Sequence, residues 1–194
     1  WTEQQLTTSF PISGFRRARP LINNAGKTEV MGFEAEMQLK ANDYWNFSAS
    51  YGYADGEFKI FEDETQEKLT GEASVAGNKT PRAPRHTFNF NSSFDYPIND
   101  EMEFFLRGDL NYRSSRFVQV HNLAIIGATT KVNVQTGLDW QDLRFTFFVR
   151  NLFNNDTPAD VTRFFDASDF RMERAFLITL PRTREWGARV EYNF

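Results

Sequence analysis

Residues 183 to 194 place Trp186, Ala188, Val190, Tyr192 and Phe194 at even positions and Glu185, Gly187, Arg189, Glu191 and Asn193 at odd ones. Side chains alternate across a strand with period two, so this stretch shows rings and hydrocarbon to one side and mostly charge to the other. The same pattern recurs upstream. Phe33, Ala35, Met37 and Leu39 oppose Glu34, Glu36, Gln38 and Lys40. Trp45, Phe47, Ala49, Tyr51 and Tyr53 alternate with Asn46, Ser48, Ser50 and Gly52. Phe88, Phe90, Phe94 and Tyr96 oppose Thr87, Asn89, Asn91, Ser93 and Asp95, and Met102, Phe104, Leu106, Leu110 and Tyr112 oppose Glu103, Arg107, Asp109, Asn111 and Arg113. Val132, Val134, Leu138 and Trp140 alternate with Lys131, Asn133, Gln135 and Asp139. Leu143, Phe145, Phe147 and Val149 do so with Arg144, Thr146 and Arg150, Phe148 being an exception on the polar face. With a weakly patterned first strand at residues 1–10, eight strands are expected and no helix is demanded.

The connections alternate in length. Residues 41–44, 97–100 and 141–142 are tight turns, whereas residues 11–26, 59–84, 114–130 and 154–181 are long, the hydrophilic stretch at 59–84 being far longer than the loops usual in a compact soluble domain. Each strand from the second onward has roughly the 9 to 11 residues that a tilted strand needs to cross hydrocarbon. Short turns on one side and long loops on the other are the asymmetry of an outer-membrane barrel, and aromatics near strand ends, at Trp45, Tyr96, Tyr112, Trp140 and Trp186, fall where an interfacial girdle would put them. The expected fold is therefore all-β, an antiparallel transmembrane β-barrel. A soluble lipocalin-like barrel is the alternative. Its core would carry the aromatic face and leave the long loops unexplained, and expression without detergent separates the two.

Composition narrows this reading. No run of about 18 apolar residues occurs, so no transmembrane helix is expected, and a modestly polar mean hydropathy suits a barrel with a wet lumen. There is no cysteine, hence no disulfide frame and no thiolate metal site. A net charge of −4 gives no case for nucleic-acid binding. The first ten residues lack a basic and an apolar region, so no signal peptide is expected in them. His86 and His121 lack metal-ligand spacing, Glu62, Asp63 and Glu64 lack the spacing of a calcium loop, and no GxSxG occurs; no metal, cofactor or enzymatic activity is expected. Asn78-Lys79-Thr80 reads as a chance glycosylation triplet.

Local motifs add a resemblance. Asn24 to Lys27 leads into Gly32-Phe33-Glu34-Ala35-Glu36, followed by Trp45 and Ser48-Ala49-Ser50-Tyr51-Gly52-Tyr53. Then come Pro81-Arg82-Ala83-Pro84-Arg85-His86, Val149-Arg150-Asn151-Leu152-Phe153-Asn154, and Pro181-Arg182 through Gly187 to the terminal Phe194. In order and spacing these resemble the C-terminal part of a TonB-dependent outer-membrane receptor, while residues 1 to 23 contribute little. The resemblance implies that residues 1–194 are about the last third of a 22-stranded barrel in the outer membrane of a Gram-negative bacterium, with the plug domain and the N-terminal strands outside this chain. It also implies uptake of a scarce nutrient: a ferric siderophore or another large ligand such as cobalamin, haem or an oligosaccharide. The implied partners are outer-membrane lipid and lipopolysaccharide, the receptor's own plug, TonB through the missing N-terminal part, and the barrel-assembly machinery, for which Trp186, Val190, Tyr192 and Phe194 match the recognition signal. Glu34, Glu36, Arg107, Asp109, Arg144, Arg150, Arg189 and Glu191 are expected to face the lumen and plug. Arg16, Arg17, Arg19, Arg113, Arg116 and His121, in outer loops and lumen, are candidate ligand contacts; the first three arginines also suit lipopolysaccharide phosphates or plain solvent. A free-standing eight-stranded barrel with a structural or adhesive role is the alternative function.

Overall fold

The computed structural model describes the backbone of residues 5–11, 18–24, 26–166 and 173–194, and the side chains of residues 26–163 and 175–194. Along the chain run β1 (Gln5–Pro11), β2 (Ala18–Asn24), β3 (Lys27–Lys40), β4 (Trp45–Ile60), α1 (Glu64–Thr70), β5 (His86–Asn99) and β6 (Met102–Arg113). These are followed by β7 (Arg116–Phe117), β8 (Ile125–Ile126), β9 (Thr129–Trp140), β10 (Leu143–Arg150), β11 (Asp160–Asp166), β12 (Glu173–Thr179) and β13 (Glu185–Tyr192). No helix among the described residues is long and apolar enough to cross a membrane.

Seven strands form one sheet in the order β13-β10-β9-β6-β5-β4-β3, and the five pairs from β4 to β13 are antiparallel. β3 and β13 are its outer strands, so the sheet is an open part of a barrel wall. Register carries each face intact from strand to strand. Tyr96, Phe104, Leu138, Phe145 and Val190 lie in one row, and Trp45, Phe94, Leu106, Thr136, Phe147 and Ala188 in the next. The opposite face has rows such as Ser48, Asn91, Asp109 and Asn133. A slip of one residue in any pair would move that strand's aromatic set to the polar side, so the apolar pattern itself specifies the pairing. The apolar face is uncovered among the described residues, with Met37, Leu39, Phe145, Phe147 and Val190 all exposed.

Polar side chains shape the tight turns. Asn42 Oδ1 accepts from the backbone N–H groups of Tyr44 and Trp45 at 2.9 and 2.8 Å, closing the β3–β4 turn. Gln141 adopts φ 52° between β9 and β10 and donates its N–H to Glu101 O. The second turn falls later than its sequence suggests. β5 runs on to Asn99 through a register shift between Pro97 and Asn99, and the chain reverses at residues 100–101. Proline has no N–H for the ladder, and a bulge is where a central strand tolerates it.

Two expectations are corrected. The first expected strand corresponds to β1, but β1 pairs with β2, inside the stretch read as a connection, and does not enter the sheet; seven of the eight expected strands do. Nothing in Thr7, Thr8 and Ser9 supplies the apolar alternation that sets register in the others. The remaining long connections also carry structure: α1 after β4, the short pair β7–β8, and the hairpin β11–β12.

The chain divides into two compact units, one of Trp1–Gly32, Ala54–Ala83 and Phe117–Ile125, the other of Phe33–Tyr53, Pro84–Arg116 and Ile126–Phe194. Within the first, alternation along the end of β4 has the opposite sense to that of the sheet. Gly56 and Phe58, at even positions, are buried, while Asp55, Glu57 and Lys59 carry ion pairs. That is the pattern of a strand whose solvent-facing side meets water.

Candidate functional site

The polar face of the sheet encloses a groove of about 850 Å³ whose lining includes Arg107, Asp109, Gln135, Arg150 and Arg189. Its charges are paired close to where the register places them. Arg107 forms an ion pair with Asp95 and donates from Nη1 to Phe94 O at 2.8 Å. Arg144 binds both carboxylate oxygens of Asp139, at 2.5 and 2.6 Å, across the two-residue turn between β9 and β10. Asp109 accepts from Asn111 Nδ2 at 3.0 Å and Asn133 Nδ2 at 2.7 Å, and Ser48 and Ser50 accept from Asn91 and Asn89. On the last pair of strands Arg150 lies 3.7 Å from Glu185, and Arg189 lies 3.7 Å from Glu191.

Two aromatic rings lie on this polar face, each opposite a glycine. Phe105 pairs across the sheet with Gly137 and is only 5 % exposed, and the guanidinium carbons of Arg107 and Arg144 stand 5.6 and 5.3 Å from its ring centre. Phe148 pairs with Gly187 and carries Arg150 at 5.0 Å. Each glycine leaves the space that its partner ring occupies, since a Cβ at Gly187 would meet Phe148 Cζ at 2.8 Å. Phe148 is flagged by sequence as out of phase; Phe105 was missed, although two consecutive aromatics at Phe104 and Phe105 cannot both face one side of a strand. Asp95, Asp139 and Asn133 were likewise not singled out as site residues.

The motif at residues 151–154 is a junction between strands. Asn151 is buried, has φ 50°, and donates from Nδ2 to Asn155 O and Arg182 O, both at 3.0 Å, while its Oδ1 accepts from Asn155 N at 2.8 Å. Its own N–H goes to Asn133 Oδ1 at 2.8 Å, and Asn154 Oδ1 accepts from Arg184 N at 2.8 Å. The end of β10 is thereby tied to the segment entering β13. Asn151→Ala is expected to cost about 2–4 kcal/mol, from three lost hydrogen bonds in a buried site plus a left-handed residue with a Cβ. Asn151→Gly, which relieves only the backbone part, should cost roughly 1 kcal/mol less. Denaturant unfolding of the two variants checks this, and equal losses would contradict the backbone part.

Among the other candidates, Glu34 and Glu36 are exposed on the outer strand β3, and Arg113 is exposed at the end of β6. Arg116 donates from Nη2 to Ala159 O at 2.7 Å. Arg16 and Arg17 lie outside the described residues; Arg19 stands opposite Phe10 in the β1–β2 register. His121 is 7 % exposed, 3.1 Å from Gln66 Oε1, so it packs inside the first unit and is not displayed at a surface. Trp186, Val190 and Tyr192 stand on the apolar face opposite Val149, Phe145 and Leu143, and the Phe194 ring lies 5.7 Å from that of Tyr192.

The acidic run turns out to be a helix start. Asp63 caps α1, its Oδ1 accepting from Gln66 N at 2.9 Å, and Gly71 ends the helix at φ 86°. The signal was present as Asp63-x-x-Gln66 followed by a glycine. No group of three or more His, Cys, Asp or Glu among the described residues could hold a metal ion. Nearby, Lys79 Nζ lies 3.0 Å from Asp55 and 3.2 Å from Glu57, and Lys59 bridges Glu57 and Glu29. The hydrogen bond to Asp55, helped by Glu57, raises the Lys79 ammonium above the usual lysine range against the opposing effect of desolvation.

The model of the family described as TonB dependent receptor-like, beta-barrel, matches residues 2–152. No curated protein sequence matches the chain. Among solved structures, the ferric yersiniabactin uptake receptor FyuA from Yersinia pestis superposes with a TM-score of 0.68 at 17% identity, over 90% of this chain and 25% of that one. BauA, the ferric preacinetobactin receptor from Acinetobacter baumannii, gives 0.61 at 15% identity over 98% and 26%. The siderophore receptor PiuA, also from Acinetobacter baumannii, gives 0.60 at 16% identity over 95% and 23%. The likeness to these structures is one of fold, and the chain spans about a quarter of their length. The family match over most of the chain and the open antiparallel wall with its two faces in register agree: the chain belongs to the TonB dependent receptor-like β-barrel family.

Proposed function

We propose that residues 1–194 are the C-terminal part of the barrel domain of an outer-membrane receptor that imports a scarce nutrient, a ferric siderophore first among the candidates. The observation that carries this reading is the two-faced sheet: apolar rows run through its strands on one side, and paired charges with amides line the other. Such a wall separates hydrocarbon from a wet lumen. The siderophore class is favoured because the three similar structures named above are siderophore or ferric-siderophore receptors. Cobalamin, haem and oligosaccharide are the other ligands in view.

In this reading the membrane is the outer membrane of a Gram-negative bacterium, with lipid and lipopolysaccharide against the apolar face. The plug and the remaining strands belong to parts of the receptor outside this chain, and TonB engages those parts to supply energy. The paired lumen charges, Arg107, Asp109, Arg144, Arg150, Arg189 and Glu191, with Glu34 and Glu36, face the plug. Arg113 and Arg116 stand on the side from which ligand arrives, and Arg16, Arg17 and Arg19 are further candidate ligand contacts by their sequence alone. The barrel-assembly machinery reads the terminal signal of Trp186, Val190, Tyr192 and Phe194. Transport and not catalysis is the assigned activity.

The test is uptake by cells carrying the full-length receptor under iron limitation, with a panel of radioiron-labelled ferric siderophores. One chelate is expected to enter, and to stop entering when TonB is disrupted. No energy-dependent entry of any iron chelate would remove the siderophore class, and the same result with cobalamin, haem and oligosaccharide would remove the transport reading.

The membrane face has its own test. Leu106, between Phe94 and Thr136 in an apolar row, lies mid-strand in β6. Leu106→Arg is expected to destabilise the full-length barrel in lipid vesicles by about 2–4 kcal/mol, against under about 1 kcal/mol for Asn111→Arg on the lumen side. Equal effects by denaturant titration would contradict the assignment of faces.

A further inference from the structure

The connections that follow β4 and β6 are separated in sequence by two complete strands, yet residues 61–83 of the first and 117–125 of the second belong to one compact unit. Hydrogen bonds join them. Arg82 N donates to Phe117 O at 2.7 Å, Asn78 Nδ2 to Val120 O at 2.9 Å, and Lys79 N to Asn122 Oδ1 at 2.6 Å. Asn122 Nδ2 returns a bond to Lys79 O at 2.9 Å, and His121 Nδ1 lies 3.1 Å from Gln66 Oε1 on α1.

The joined region has an interior. Phe58, near the end of β4, and Val75 of the first connection are 0 % and 1 % exposed, and Val118 of the second connection is 5 % exposed. Gln66 and His121, the polar pair across the join, are also buried. Independent loops on a barrel rim would keep their hydrogen bonds local or give them to water, and neither would bury apolar side chains this completely. Asn122 is the centre of the join. Its φ of 53° turns the side chain's amide toward residue 79, where it acts as donor and acceptor at once, replacing a pair of backbone ladder bonds.

We infer that the two connections form one composite body, clasped at Asn122, that orders, opens and meets an approaching molecule as a unit. The clasp joins the first connection, with its helix, to the second through residues 78–79 and 120–122. Movement of one connection then requires either movement of the other or rupture of the clasp, so a contact made by one is felt by both. This inference is independent of the transport reading, because it is tested without ligand.

The experiment is amide hydrogen exchange on the folded full-length receptor, comparing the native protein with Asn122→Gly. Glycine keeps the left-handed backbone and deletes only the side-chain clasp. Exchange is expected to accelerate about tenfold in residues 75–82 and 117–124 together, with β5 and β6 unchanged. Acceleration confined to residues 117–124, or none, would overturn the inference. Asn78→Ala, which removes only the bond to Val120 O, should give a smaller acceleration of the same two segments; it decides the matter if Asn122→Gly does not fold, and acceleration in one segment alone would again overturn it.

Discussion

Gly137→Ala is expected to cost about 3 kcal/mol or more of barrel stability. A Cβ at this position would stand 1.9 Å from the carbonyl oxygen of Phe145 and 2.7 Å from Cζ of Phe105. The first of these is backbone in a neighbouring strand, which can yield only by opening the β9–β10 ladder. The second is the ring that fills the glycine's place and on which the Arg107 and Arg144 guanidiniums rest. Displacing it disturbs the ion pairs with Asp95 and Asp139 as well. Gly187 is the internal control. The nearest atoms to a Cβ there belong to the Phe148 side chain alone, so Gly187→Ala should cost only about 1 kcal/mol. Denaturant unfolding of both variants in the full-length protein measures the contrast. Equal losses would mean that the ring, and not the backbone, sets the limit at both positions.

Residues 1–194 refolded alone in detergent are expected to give no monodisperse, heat-modifiable barrel. β3 and β13 each have one neighbour in the sheet, and the expected first strand pairs with β2 in a separate sheet, so it supplies hydrogen bonds to neither edge. Every backbone N–H and C=O left unpaired along those edges costs several kcal/mol in hydrocarbon, more than the marginal stability of a folded chain can absorb. Electrophoresis with and without heating, together with size-exclusion chromatography, reads the outcome. A single compact species whose mobility shifts on heating would show that the segment closes by itself, and would revive the eight-stranded alternative.

The strands of the wall were legible because two solvents act on them at once. From residue 33 to 39, 45 to 53, 143 to 149 and 186 to 192 the alternation is nearly unbroken, and a single misplaced residue would set an aromatic in the lumen or a charge in hydrocarbon. The hairpin pairs followed from the turns: the Gln141-Asp142 reversal brings Asp139 beside Arg144, so that ion pair was implicit in the spacing. Where only one solvent acts, the reading failed. The run after β4 is hydrophilic throughout, and its helix is declared only by the cap at Asp63 and the stop at Gly71. The first strand, without an apolar face, carried no information about its partner.

The sequence by itself determined the β class, the positions of seven wall strands, which side of each strand meets apolar surroundings, and which connections are short. These depend on neighbours within a few residues, for which period-two alternation and turn chemistry are sufficient. Only the tertiary structure decided that Phe105 fills the notch at Gly137, that Asn151 ties β10 to the entry of β13, that His121 is buried beside Gln66, and that Asn122 clasps two connections into one body. The partners in those contacts lie between 31 and 55 residues apart. Their meeting is set by the register of intervening strands and the path of long connections, and a local pattern of polar and apolar residues does not encode either.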